Sequence, residues 1–167
     1  MFNKIISFVR RNKKRSIKAK FTEIYFQNIF GGKESRSGEG SSLLQTANIR
    51  REIPRLLKEL NIETMLDAPC GDLFWIKEVD LPVKEYIGID IVEDLIIINN
   101  KKHKTEQRSF LELNIIENVI PKADLIFCRD CLVHLSFDQC RKVINNLKKS
   151  GSIYLLTTTF TERSENE

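Results

Sequence analysis

A chain of 167 residues, 41% hydrophobic and 30% charged, has room for one domain with a real core and not for two. Its net charge of +4 sits in the first twenty residues, which hold eight Lys or Arg and no acid; the remainder is mildly acidic and offers no nucleic-acid footprint. No run approaches the ~20 apolar residues that cross a bilayer.

No secretory leader is expected ahead of the four cysteines, Cys70, Cys128, Cys131 and Cys140, since the apolar run at the start is short and broken by Lys4. Free thiols in a reducing cytoplasm are the expected state. Cys128 and Cys131 form a Cys-x-x-Cys, but no second ligand pair accompanies it and the only histidines are His103 and His134, so no metal site is expected.

Phe2, Ile5, Ile6 and Val9 share a helical face, and the basic run 10–15 follows. Residues 1–20 read as a solvated basic segment, with weak contact to an anionic membrane surface as the sharper alternative. Residues 21–60 read as a helical and lid region of the same domain as 61–167. Within it, residues 31–42 hold four of the seven glycines, a linker by composition and a lid by position. From Ser42 the pattern turns helical, with Ile49, Ile53, Leu56, Leu57 and Leu60 on one face and Ser42 and Gln45 spaced as a capping box. Pro54 predicts a kink, or a second helix that it opens.

From residue 62 strands and helices alternate. Strands are expected at about 63–68, 85–90, 107–112, 123–128 and 152–158. Helices are expected at about 72–79, 92–103 and from Ser136, where Gln139 completes a capping box, to a stop at Gly151. The core face of this last helix is read as Phe137, Cys140, Val143, Ile144 and Leu147. Continuous apolar strands separated by helices imply an α/β fold, a parallel sheet covered on both faces.

The chemistry sits at the strand ends. The first strand closes on Asp67 and turns through Ala68, Pro69, Cys70 and Gly71 into Asp72; the second closes on Asp90, nineteen residues after Gly71. Two such acids suit a nucleoside ligand, the second accepting from ribose hydroxyls. A dinucleotide turn carries Gly-x-Gly-x-x-Gly; this one has a single glycine, a proline without an N–H donor, and acids that repel phosphate. A ligand with a cation and no phosphate fits better, and S-adenosylmethionine is one.

With these residues in view, the chain resembles the class I S-adenosylmethionine-dependent methyltransferases. More narrowly, it resembles small bacterial members that carry Asp-Ala-Pro-Cys-Gly-Asp (67–72), a Trp (Trp75) and Cys-Arg-Asp-Cys-Leu-Val-His-Leu-Ser (128–136). The resemblance spans roughly 21–160 and implies a Rossmann-like doubly wound sheet with S-adenosylmethionine as cofactor. It implies that the backbone of Ala68 through Gly71 faces the methionine part, with Asp67 orienting that loop or its water. Asp90 would take the ribose hydroxyls, Ile91 pack on adenine and Asn114 accept from the adenine amino group; Arg129 would lie near the cofactor. Asp130 and His134 follow the fourth strand, and either is placed to act as general base toward a hydroxyl acceptor or to hold the loop. Trp75 is read as core or as a border of the pocket, and Cys131 as a small buried side chain. Gly38, Gly40 and Ser41 would belong to a lid.

Members of this superfamily have seven strands, and five are recognisable here. The expectation is a shortened member, or one whose fifth-strand edge a partner or a second copy covers. The implied activity is methyl transfer to a small-molecule or glycan acceptor. The alternatives are a cofactor-binding subunit that does not catalyse and a nicotinamide-dependent oxidoreductase, which the single glycine and Pro69 disfavour.

Overall fold

A computed structural model describes residues 16–159. The amphipathic turn at Phe2–Val9, the basic run 10–15 and the charged tail from Thr161 lie outside the described residues. The chain order is α1 (Ile17–Phe26), α2 (Ala47–Glu59), β1 (Thr64–Asp67), β2 (Glu85–Asp90), α3 (Glu93–His103), β3 (Arg108–Glu112), β4 (Leu125–Cys128), α4 (Phe137–Lys149) and β5 (Tyr154–Thr157). Short 3-10 turns lie at Glu39–Ser41, Ile76–Glu78 and Leu132–His134.

The five strands form one parallel sheet in the order β3-β2-β1-β4-β5. Side chains alternate across each strand, so one sequence feeds two cores. Met65, Leu125 and Phe127 join Ile53 and Leu57 of α2 and Ile96 of α3 on one face. Leu66, Ile126 and Cys128 join Val143 and Leu147 of α4 on the other. The sheet is therefore doubly wound, as expected. Register puts Asp67 beside Gly88 of β2 and Phe127 of β4, which brings the three C-terminal strand ends to one rim. Among the described residues no helix is long and apolar enough to cross a membrane.

Several local expectations are corrected. No α-helix forms over 72–79. Gly71 and Leu73 take left-handed φ values of +56° each, and the Asp72 carboxylate accepts from Phe74 N, so the chain turns where a helix would begin. Only the 3-10 turn at Ile76–Glu78 remains, and Trp75 precedes it rather than riding on a helix. Ser42 opens a turn, not a helix: its Oγ accepts from Gln45 N, and α2 starts five residues later at Ala47. Pro54 sits inside α2 without splitting it, because Ile53 and Leu57 lock that face onto the sheet. On α4 the Ser136–Gln139 capping box forms as expected. Its buried face is Val143 and Leu147 with half-buried Cys140, while Phe137 and Ile144 stay 71% and 40% exposed on a flank that no described element covers.

Helix α1 falls across the boundary between the basic segment 1–20 and the helical and lid region 21–60, and its bounds were not foreseen. Ser16 caps it by accepting from Ala19 N, and Ile17, Phe21, Ile24 and Tyr25 recur at helical spacing. Those four side chains all face the cleft above the strand ends.

Candidate cofactor and active site

The turn after β1 is held rigid by its own protein. Ala68 N donates to Phe127 O on β4 (2.8 Å) and Cys70 N to Ile89 O on β2 (2.8 Å). Gly71 N donates to Asp90 Oδ2 (3.2 Å) and Asp72 N to Ser37 Oγ (3.2 Å), while Pro69, after a cis peptide, has no N–H. Every N–H from 68 to 72 is thereby used or missing, so the turn offers carbonyl oxygens to a ligand and no donors. From beneath, the buried Asn99 of α3 donates to Gly71 O (2.9 Å) and approaches Cys70 Sγ (3.8 Å). Gly71 is required twice over: its φ is left-handed, and a Cβ there would come 2.4 Å from Ser37 Oγ.

Two buried carboxyls underlie the turn. Asp90 ends β2 and accepts from Gly71 N and Val92 N; burial pushes it up to about 6 against those bonds. The Ile91 N–H also favours its charged form. Asp67 ends β1, where burial pushes it up to about 7 against the Tyr86 hydroxyl that donates to it and the nearby Arg129. Asp67 bonds the Tyr86 hydroxyl rather than a group of the turn, whose backbone Asp90 and Asn99 hold instead.

Above the turn lies the segment from α1 to Ser41. The Asp72 carboxylate is its latch: Ser35 Oγ donates to it at 2.8 and 3.0 Å, Arg36 N at 2.9 Å and Ser37 Oγ at 3.3 Å. At the far end Arg129 Nη2 donates to Gly40 O (2.8 Å). Phe30 stacks on His134 with ring centroids 4.6 Å apart. Of the lid residues named from sequence, Ser41 lines the cleft, and Gly40 touches the β4 end through its carbonyl. Gly38 packs on Phe30. Ser35, Ser37, Phe30, Asn99 and Tyr86 were missed.

The rim beyond β4 carries the remaining polar groups. Arg129 pairs with Asp130 (Nη2 to Oδ2, 3.0 Å), and its guanidinium lies over the Trp75 ring. Trp75 is at once core, edge-on to Phe127, and cleft wall. Asp130 holds φ +49°, a left-handed backbone position disfavoured for a side chain with a Cβ, and its N–H is tied to Thr158 Oγ1 (2.9 Å). Burial holds His134 below its ordinary value despite the pull of Asp130, so its ring is neutral at neutral pH. Cys131 is buried as expected; donating to Cys128 and shielded from water, its thiol stays far above the ordinary range.

The cleft so enclosed has about 1160 Å³ of empty space, its open mouth included, and brings together Asp67, Pro69, Cys70, Gly71, Asp90, Ile91, Asn114, Arg129, Asp130 and His134. Ala68 is buried and turns its side chain into the α4 core instead. Asn114 Oδ1 accepts from Ile116 N (3.0 Å), which leaves it one lone pair for a ligand. Among the described residues no three His, Cys, Asp or Glu side chains are grouped to hold a metal.

These features define a recognisable architecture. The DhpI–SAM–HEP complex has a TM-score of 0.62 at 13% identity, over 92% of this chain and 75% of that one. The N-methyltransferase NodS from Bradyrhizobium japonicum WM9, in complex with S-adenosyl-L-homocysteine, has 0.60 at 16% identity, over 77% and 67%. The methyltransferase domain of bacterial CtHen1 has 0.57 at 11% identity, over 65% and 63%. The chain has the Rossmann-like fold of class I S-adenosylmethionine-dependent methyltransferases. It spans 61% to 75% of the length of these and a further NodS structure. No protein-family model and no curated protein matches the chain.

Proposed function

We propose that the chain binds S-adenosylmethionine across the C-terminal ends of β2, β1 and β4 and transfers its methyl group to a hydroxyl or amine of a small-molecule or glycan acceptor. The observation that carries this reading is the turn at 68–72. Its backbone donors are all consumed, and Asp67 and Asp90 are buried beside it. A phosphate finds no N–H there, whereas a cationic group finds carbonyls and carboxyls. The methyltransferase fold of its structural neighbours supports the same reading.

When bound, that cofactor supplies a methyl group already activated on a sulfonium, so transfer depends mainly on alignment with the acceptor. The chain's residues divide the work. Asp90 accepts from the ribose hydroxyls. Ile91 packs against adenine, and Asn114 Oδ1 accepts from the adenine amino group. The carbonyls of Ala68, Pro69 and Cys70 take the α-ammonium. Helix α1 and residues 30–42 act as the lid that excludes water. His134, neutral at its ring, takes the proton of a hydroxyl acceptor, and Asp130 orients and polarises it.

Titration calorimetry of the 167-residue chain with S-adenosylhomocysteine tests this. Micromolar binding is expected, lost by at least ~30-fold in Asp90→Ala as two hydrogen bonds to a charged acceptor go. A folded chain that gives no heat refutes the reading. A second reading, a cofactor-binding subunit that does not itself transfer methyl groups, draws on Ile153, Tyr154 and Leu155, left exposed along β5 where a partner would sit. Formation of S-adenosylhomocysteine from S-adenosylmethionine in an acceptor screen separates the two.

A further inference from the structure

We infer that Phe30 is a positioning residue for His134: its ring, carried by the lid, covers one face of the imidazole and fixes its plane, so that the base is set only while the lid is closed. The inference rests on the reading of His134 as the base and deepens it by naming what prepares that base.

The argument starts from what the imidazole lacks. His134 ends the 3-10 turn Leu132–His134, and its backbone N–H donates to Cys131 O at 3.0 Å. Neither ring nitrogen has a hydrogen-bond partner among the described residues. A histidine base is ordinarily oriented by a group bonded to its far nitrogen. Asp130 acts on this one by charge, without a hydrogen bond. The group that touches the ring is Phe30, with centroids 4.6 Å apart and planes 28° from parallel. Such a stack fixes the plane and shuts water from one face. It leaves the nitrogens free for an acceptor in the cleft that both residues line.

Phe30 is itself held by a closed loop. Asn28 takes a left-handed φ of +50°, its Nδ2 donates to Gly32 O (3.1 Å), and Gly31 N donates back to Asn28 O (2.9 Å). Gly38 doubles back onto the Phe30 side chain, where a Cβ would come 3.2 Å from Phe30 Cβ. Between these two contacts lie Ser35, Arg36 and Ser37, the three residues that bond Asp72. Asp72 follows β1 and His134 follows β4, so latch and base stand on different elements, and the lid loop joins them through Phe30. The charged groups facing the imidazole are Asp130 from its own loop, which raises it, and Lys20 of α1, which lowers it; Asp72 is not among them.

The test is titration of the imidazole proton signals by NMR, with neither cofactor nor acceptor present. The chain has two histidines, so each can be followed by itself. Phe30→Ala should move the midpoint of His134 up toward the ordinary histidine value, since water regains the covered face. Phe30→Tyr, which keeps the ring, should titrate as the wild type, and His103 should stay in place throughout. Asp72→Ala should also raise His134, and should add nothing in the Phe30→Ala background. The sign separates causes: a carboxylate lost through charge alone lowers a histidine, so a rise reports the freed lid. A fall in Phe30→Ala, as loss of an aromatic face that attracts the imidazolium would give, overturns the inference. So does an unchanged midpoint, or a Lys20→Gln variant that produces the whole rise with the stack in place. Formation of S-adenosylhomocysteine lost in His134→Gln, with the midpoint unmoved in Phe30→Ala, sinks the inference and spares the base reading. Formation at the wild-type rate in His134→Gln overturns both.

Discussion

Asp67 and Asp90 are carboxyls kept from water at neighbouring strand ends, and burial lifts them to about 7 and about 6. A folded-state pKa above the unfolded value means that the folded protein holds protons which the unfolded chain has already released. The stability this represents is complete below about pH 4 and is lost as pH rises to about 7. The groups facing Asp67 are Arg129, Asp90 and the Tyr86 hydroxyl, and only the first and last oppose its burial. Asp67→Asn keeps the bond from Tyr86 and removes the charge. It should therefore stabilise the chain increasingly between pH 4 and pH 8, by on the order of 3 kcal/mol over that span, in urea titrations. An advantage that does not change with pH would contradict the burial argument. Both acids were legible in the sequence because each closes an apolar strand at a spacing that a βαβ unit imposes. Asn99 and Tyr86 were not. Each acts across the fold, from α3 and from β2, on a residue nineteen or more positions away, and a polar side chain inside a helix or strand carries no sign of what it will meet.

The lid is an element whose position is set by one carboxylate. Asp72 accepts from Ser35, Arg36 and Ser37, and these are its main ties to the sheet side besides Arg129–Gly40. Lys18 adds ion pairs to Glu93 and Glu112, but all three side chains are well exposed and contribute little. Asp72→Ala should raise amide exchange across residues 30–42 by about tenfold or more, roughly the loss of one or two hydrogen bonds, while β1 and β4 amides keep their protection. Unchanged exchange in 30–42 would mean that the segment is held elsewhere. The sequence marked this stretch as glycine-rich and adjacent to the site, but it could not say what latches it. The absent helix at 72–79 follows from the backbone, since Leu73 takes a left-handed φ of +56° where a helix would need its first residue. In contrast α1 was open to discovery, with Ser16 as cap and Ile17, Phe21, Ile24 and Tyr25 at helical intervals. Its basic surroundings put its first turn, residues 17–20, in the solvated terminus and only the rest in the helical and lid region.

At the scale of the molecule, the two sheet edges differ in chemistry. The β3 edge carries Arg108 and Glu112, charges of the kind that keep strands from pairing with strangers. From Gly151 to Thr159 the β5 edge carries no charge at all, and Ile153, Tyr154 and Leu155 are 65%, 41% and 43% exposed. The edge also reaches the site, because Thr158 Oγ1 accepts from the N–H of Asp130 and so holds the left-handed backbone there. An edge of this kind pairs readily with a second copy, since an uncharged strand meets its two-fold mate without repulsion. Sedimentation velocity should show wild-type mass rising above 19.5 kDa as concentration increases. Leu155→Lys places a charge where the second strand would lie and should sediment as a single chain throughout. Were the variant to associate as strongly as the wild type, β5 would not be the contact. Association that the variant abolishes would instead tie the order of the Asp130 backbone to a neighbouring subunit, through Thr158.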